Sequence, residues 1–207
     1  MSDALTSSAP DVLRRVLNLQ VLTVIWMTAE AIIALAAAWA ARSPALLGFG
    51  GDSAIELFSA IVVLWRFRSK TDSARAEKLA ARIAGALLFL LAAYVVLASG
   101  LALLGHREAQ SSLVGIILLI VAALGMPWLA KQKRNLATQI ASASLKADAA
   151  ESALCGYMAW IALAGLLINA TLGKSWADPV AALALVPLIM KEGWEAIRAP
   201  RPGCQCC

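Results

Sequence analysis

The stretch LLGFGGDSAIELFSAIVVLW, residues 46–65, is long and apolar enough to cross a membrane, yet it carries Asp52 and Glu56. A helix needs roughly 20 mostly apolar residues to span a hydrocarbon layer of about 30 Å. An ionised acid near the middle of that layer costs roughly 2.5–3.5 kcal/mol on insertion scales. Residues four apart share a helix face, so the two carboxylates point the same way. Acids of this kind persist where they face a bundle interior and find a partner. No Lys or Arg falls in the middle of an expected span, which leaves a bound cation or a proton as that partner.

Composition extends the membrane reading to the whole chain. Of 207 residues, 61% are hydrophobic and 15% charged, and the mean hydropathy is +0.76. A soluble domain of this size would carry far more polar surface. Six apolar runs fit spans, at about 17–40, 45–66, 80–104, 112–130, 149–171 and 177–197. The first run is too long for a signal-peptide core and contains Glu30, so it is expected to be retained, with cleavage after the alanine-rich AAAWAA a minor alternative. The expected organisation is a polar segment at 1–11, a six-helix transmembrane domain at 12–198 and a Cys-containing tail at 199–207.

The net charge of +5 sets orientation instead of marking a nucleic-acid partner. With the N-terminus inside, fifteen of the 18 Lys and Arg residues fall in inner segments; only Arg42, Arg107 and Lys174 are outer. This asymmetry predicts an even number of spans with both termini cytoplasmic. No nucleic-acid motif interrupts the pattern. Trp39, Trp65, Trp128, Trp176 and Trp194 lie near helix ends, where amphipathic rings suit the headgroup zone. No Ser-His-Asp set, phosphate loop or zinc-protease helix is present, and the one histidine, His106, falls in an outer turn. An enzyme is therefore not expected.

A second acid stretch echoes the first. ESALC, from Glu151 to Cys155, repeats the order acid, Ser, Ala, aliphatic residue and potential ligand seen in DSAIE. Asp52, Glu56, Glu151 and Cys155 make a set of four anionic-capable ligands, the number a tetrahedral Zn²⁺ accepts. The plainer alternative is that these acids line a watery vestibule or are protonated and hydrogen-bonded, and that Cys155 is a small buried hydrophobe. Asp148, three residues before Glu151, is either an accessory group or a solvated helix end. Glu30 is a fifth ligand, a proton-relay group or a polar partner for a neighbouring helix. Cys204, Cys206 and Cys207 form a CxCC tail that either captures a soft or borderline metal or is an incidental end.

These residues carry a resemblance to the cation diffusion facilitator (cation efflux) family, divalent-metal/proton antiporters. The family's second helix has Asp or His, three residues, then Asp; here the positions hold Asp52 and Glu56. Its fifth helix often reads Ala-Asp-Ala, one residue, His or Asp, three residues, Asp. This chain has Ala147-Asp148-Ala149-Ala150-Glu151, then Cys155. The Asp178-Pro179 opening of the sixth run also resembles the family. Glu and Cys stand where His and Asp are usual, and Glu56 lengthens one arm.

The resemblance implies an all-α, six-transmembrane-helix bundle of cation diffusion facilitator type, here with no C-terminal soluble domain, and a homodimer. The expected function is proton-coupled export of a divalent transition metal across a bacterial inner membrane. Zn²⁺ or Cd²⁺ would be the substrate, protons and the lipid bilayer the other partners, and no cofactor would be tightly bound. A non-transporting membrane metal sensor or metallochaperone is the alternative.

Overall fold

The six apolar runs become six helices in a computed structural model that describes residues 9–68, 73–105, 109–139 and 143–198. They are α1 (Ala9–Ala41), α2 (Pro44–Arg68), α3 (Ser73–Leu103), α4 (Leu113–Gln139), α5 (Ala143–Leu172) and α6 (Ala177–Arg198). Among the described residues α1, α3, α4 and α5 each contain a stretch long and apolar enough to cross a membrane. The α6 helix carries Asp178, Lys191, Glu192, Glu195 and Arg198 within its 22 residues, which makes it more polar than those four.

The outer faces are apolar, as a membrane requires. Ile25, Ile32, Leu90, Leu97, Leu113 and Leu124 all project away from the bundle. Helices that shed their backbone polarity internally can present such side chains to lipid. Trp39, Trp128, Trp176 and Trp194 are exposed as well, in keeping with interfacial positions. Arg198 lies 4.3 Å from the centre of the Trp194 ring, a cation–π contact near the end of α6.

The interior is built from small residues around a few large ones. Ala34, Ala38, Ala122, Ala159, Ala162 and Ala182 surround Leu46, Phe49, Met158, Leu166 and Leu185 in one core. Small side chains let helix backbones approach closely where lipid supplies no hydrophobic drive to associate. The most extensive packing joins α4 to α5, α3 to α6 and α1 to α2. At the α3–α6 contact a side chain on Gly85 would come 2.7 Å from the Gly193 carbonyl oxygen. Two glycines there hold the backbones together more tightly than any other residue pair would allow.

One end of the bundle is tied by Asp178. The turn after α1 passes through Arg42, at φ 50°, a left-handed conformation that closes helix C-termini. Ser43 then caps α2: its Oγ accepts from the Leu46 N–H at 3.1 Å, and Pro44 takes the first helical position, where no N–H is required. The Ser43 hydroxyl donates to Asp178 Oδ2 at 2.5 Å, and the Ala45 N–H donates to Asp178 Oδ1 at 3.2 Å. The Asp-Pro opening of α6 thus grips the start of α2.

At the opposite end α4 continues past the apolar run that ends near residue 130, as far as Gln139. That extension changes the place of Lys133. The sequence puts it in a solvated KQKR run; the structure buries it completely. Its Nζ lies 2.8 Å from Asp148 Oδ1 and 2.9 Å from Ser152 Oγ. Because α4 and α5 stay packed beyond the apolar runs, a cation can be enclosed between them.

Candidate metal centre

Along α6, Asp178, Ala182, Leu185 and Ile189 form a buried stripe at three- and four-residue spacing. The next turn of that stripe brings Glu192 into the bundle. On α2 the same logic applies: Asp52 and Ser53 are buried and Glu56 is half-buried. One ligand oxygen from each of Asp52, Glu56 and Glu192 can be chosen so that all three lie within 4.8 Å of one another. Among the described residues these three form the one such cluster of three or more His, Cys, Asp or Glu side chains.

The cluster lacks donors. Asp52 is 1% exposed, and among the described residues no donor group reaches its Oδ1 or the two buried carboxylate oxygens of Glu192. Among the described residues the two nearby lysines make their contacts with other acids. Lys191 sits on the exposed face, 3.8 Å from Glu195, and Lys133 is held by Asp148 and Ser152. Three carboxylates this close in a medium of low dielectric demand neutralisation, by a cation or by protons. Carboxylate oxygens are hard donors that suit divalent metals generally and can also take part in a tetrahedral Zn²⁺ site.

The other residues singled out in the sequence occupy three settings. Cys155 is buried, and its thiol lies 3.5 Å from Glu30 Oε1. Glu30, fully buried, accepts from the Trp26 indole at 2.6 Å and from the Ser53 hydroxyl at 2.7 Å. Ser53 is the neighbour of Asp52, so the Glu30–Cys155 pair adjoins the carboxylate cluster and is held by a different set of partners. Asp148, besides Lys133, accepts from the Gln20 amide at 2.7 Å, which ties α1 to α4 and α5. Glu151 lies on the exposed side of α5, within electrostatic reach of Glu56. His106, Cys204, Cys206 and Cys207 lie outside the described residues.

The structure therefore brings Asp52 and Glu56 together and adds Glu192. It puts Cys155 against Glu30, and Asp148 against Lys133 and Gln20. Glu192 has no distinctive local signal in the sequence, because Lys191 and Glu195 flank it in KEGWEA. The signal it does have is the apolar stripe that runs through Leu185 and Ile189 to that residue.

No curated protein matches the chain. The model of the cation efflux transmembrane domain, however, matches residues 21–200. That span takes in nearly all of the helical bundle, from α1 through α6. The family is one of transporters, and membrane-spanning helices around a buried acid cluster accord with it. The chain is an integral membrane protein and belongs to the cation efflux family.

Proposed function

We propose that the protein is a proton-coupled antiporter that exports a divalent transition-metal cation, with Zn²⁺ or Cd²⁺ as substrate. The observation that carries this reading is the donor-poor carboxylate cluster inside a membrane bundle. Metal ligands must be deprotonated, so loading a cation releases protons and reprotonation expels it. A site exposed alternately to the two sides of the membrane then exchanges metal for protons. Asp52 and Glu56 are the core of the site, with Cys155 of α5, beside Glu30, as the soft donor that favours Zn²⁺ and Cd²⁺. Glu151 would serve as an entry or relay group beside Glu56. We place the protein in a bacterial inner membrane as a homodimer, with both termini cytoplasmic, in line with its charge asymmetry.

Reconstitution tests the proposal. Proteoliposomes with an imposed pH gradient should accumulate Zn²⁺ or Cd²⁺ against its concentration gradient, and collapsing the gradient should stop uptake. Asp52→Asn and Glu56→Gln should abolish it while the proteins still insert. Metal binding without net movement would replace the transporter with a membrane metal sensor. Full uptake in both mutants would remove the two acids from the path.

A further inference from the structure

The carboxylate cluster draws on a helix that the sequence gives no ligand role. We propose that Glu192 of α6 is a direct ligand of the cation, so that the ion bridges α2 and α6. This rests on the metal-transport reading above and names a residue and a helix that it does not require.

Three observations point to Glu192. A ligand oxygen of Glu192 falls within 4.8 Å of ligand oxygens of both Asp52 and Glu56. Divalent ions hold carboxylate oxygens at about 2.0–2.2 Å, so adjacent ligand oxygens lie about 3–4 Å apart. Small side-chain rotations close the remaining distance. The second observation is the deficit: among the described residues no donor group reaches Asp52 Oδ1 or either Glu192 oxygen, and a bond between the two side chains requires a proton held between two carboxyls. A purely structural carboxylate at such a position would be expected to have donors, as Glu30 and Asp178 do. The third is the excess of negative charge: among the described residues Lys133 and Lys191 act on Glu56 and Glu192 only from a distance, and the contact of each is with another acid, Asp148 and Glu195.

The placement of Glu192 gives its ligation a mechanical consequence. Gly193, its neighbour, packs on Gly85 so closely that α3 and α6 share a backbone contact. Asp52 and Glu56 belong to α2, which packs on α1, on α3 and on α6 itself. A cation held by all three carboxylates adds an ionic link to the packing contact between α2 and α6. Displacing α6 from α2 would remove one ligand from the ion while leaving the other two in place, at the cost of the packing between those helices.

Zn²⁺ binding to the full-length protein in detergent separates the possibilities. Titration calorimetry with Zn²⁺ alone, together with the Zn²⁺-induced shift in melting temperature, would be measured for Glu192→Gln, Glu192→Asp and Asp52→Asn. Glu192→Gln should weaken Zn²⁺ by about tenfold or more, the scale on which even outer-shell partners of a metal act. Glu192→Asp should retain part of the affinity, because the carboxylate survives on a shorter arm. Without metal, Glu192→Gln should melt no lower than the wild type, since it removes an unpartnered charge. Wild-type affinity and shift in Glu192→Gln, with loss in Asp52→Asn, would overturn the role of Glu192 and leave the transport site on α2. Unchanged binding in Asp52→Asn as well would sink the metal-site reading itself. If Glu192→Gln instead lowers the metal-free melting temperature and Glu192→Asp binds Zn²⁺ as the wild type does, the Asp52–Glu192 contact is a proton-sharing structural pair and the proposal fails.

Discussion

Asp52 and Asp178 are both buried, at 1% and 0% exposure, yet their surroundings differ in kind. Asp178 receives the Ser43 hydroxyl and the Ala45 N–H. Asp52 leaves an oxygen with no partner and faces two further carboxylates. Burial alone therefore does not separate a functional acid from a structural one in this bundle. The supply of donors is what differs: Asp178, with its donors in place, ties α6 to the start of α2, whereas on the proposed reading Asp52 awaits a ligand that comes and goes.

That contrast is open to a direct test. Asp178→Ala should destabilise the protein most, because it deletes two hydrogen bonds to a charged acceptor and orphans the groups that cap α2. At roughly 1.5–3 kcal/mol for each bond to a charged group, the loss is about 3 kcal/mol or more. Asp52→Asn should leave metal-free stability unchanged or raised, because it removes a charge that lacks a partner. Thermal melts of both variants in the same detergent, without metal, decide the matter. Equal losses would mean that donor supply does not distinguish the two acids.

Much of this was legible in the sequence, and the remainder was hidden for identifiable reasons. The six helices follow from the six apolar runs, and four of them, among the described residues, are long and apolar enough to span a membrane. Asp52 and Glu56 were visible as a pair because four-residue spacing in an apolar stretch puts both on one face. Glu192 was masked by Lys191 and Glu195, which share its segment and point outward. Lys133 was masked in the same way by Lys131 and Arg134, both exposed. In a charged run only the helix phase tells which member turns inward, and that phase is fixed by packing partners far away in sequence. The contacts between Cys155 and Glu30, and between Gln20 and Asp148, join residues more than a hundred positions apart. No local pattern encodes them.

Lys133 supplies an intermediate case, an acid neutralised by a protein cation. Lys133→Met should cost about 2 kcal/mol, toward the low side for a broken buried pair because the Asp148 side chain is 30% exposed. Adding Asp148→Asn should restore most of that loss, since an apolar and a neutral residue then replace the pair together. Melting temperatures of the single and double variants provide the cycle. A double variant no more stable than Lys133→Met would show that the ammonium acts through Ser152 or through packing, and not through Asp148.

The smallest expected effect belongs to Cys155, which stands between the two kinds of site. Its thiol reaches Glu30 Oε1 at 3.5 Å, while Glu30 keeps the shorter bonds from Trp26 and Ser53. A thiol is a weak donor, so Cys155→Ser should change stability by less than about 1 kcal/mol. Selectivity is the more sensitive quantity. If the thiolate joins the carboxylates when metal is bound, it is the soft donor of the set, and its loss should lower the Cd²⁺/Mn²⁺ transport ratio several-fold while Zn²⁺ transport continues. Competition transport with Cd²⁺ and Mn²⁺ on wild type and Cys155→Ser measures that ratio. An unchanged ratio would confine Cys155 to the Glu30 contact and make the ion site one of oxygen alone. The carboxylates would then have to set metal preference by their geometry, with the separation of α2 and α6 as its control.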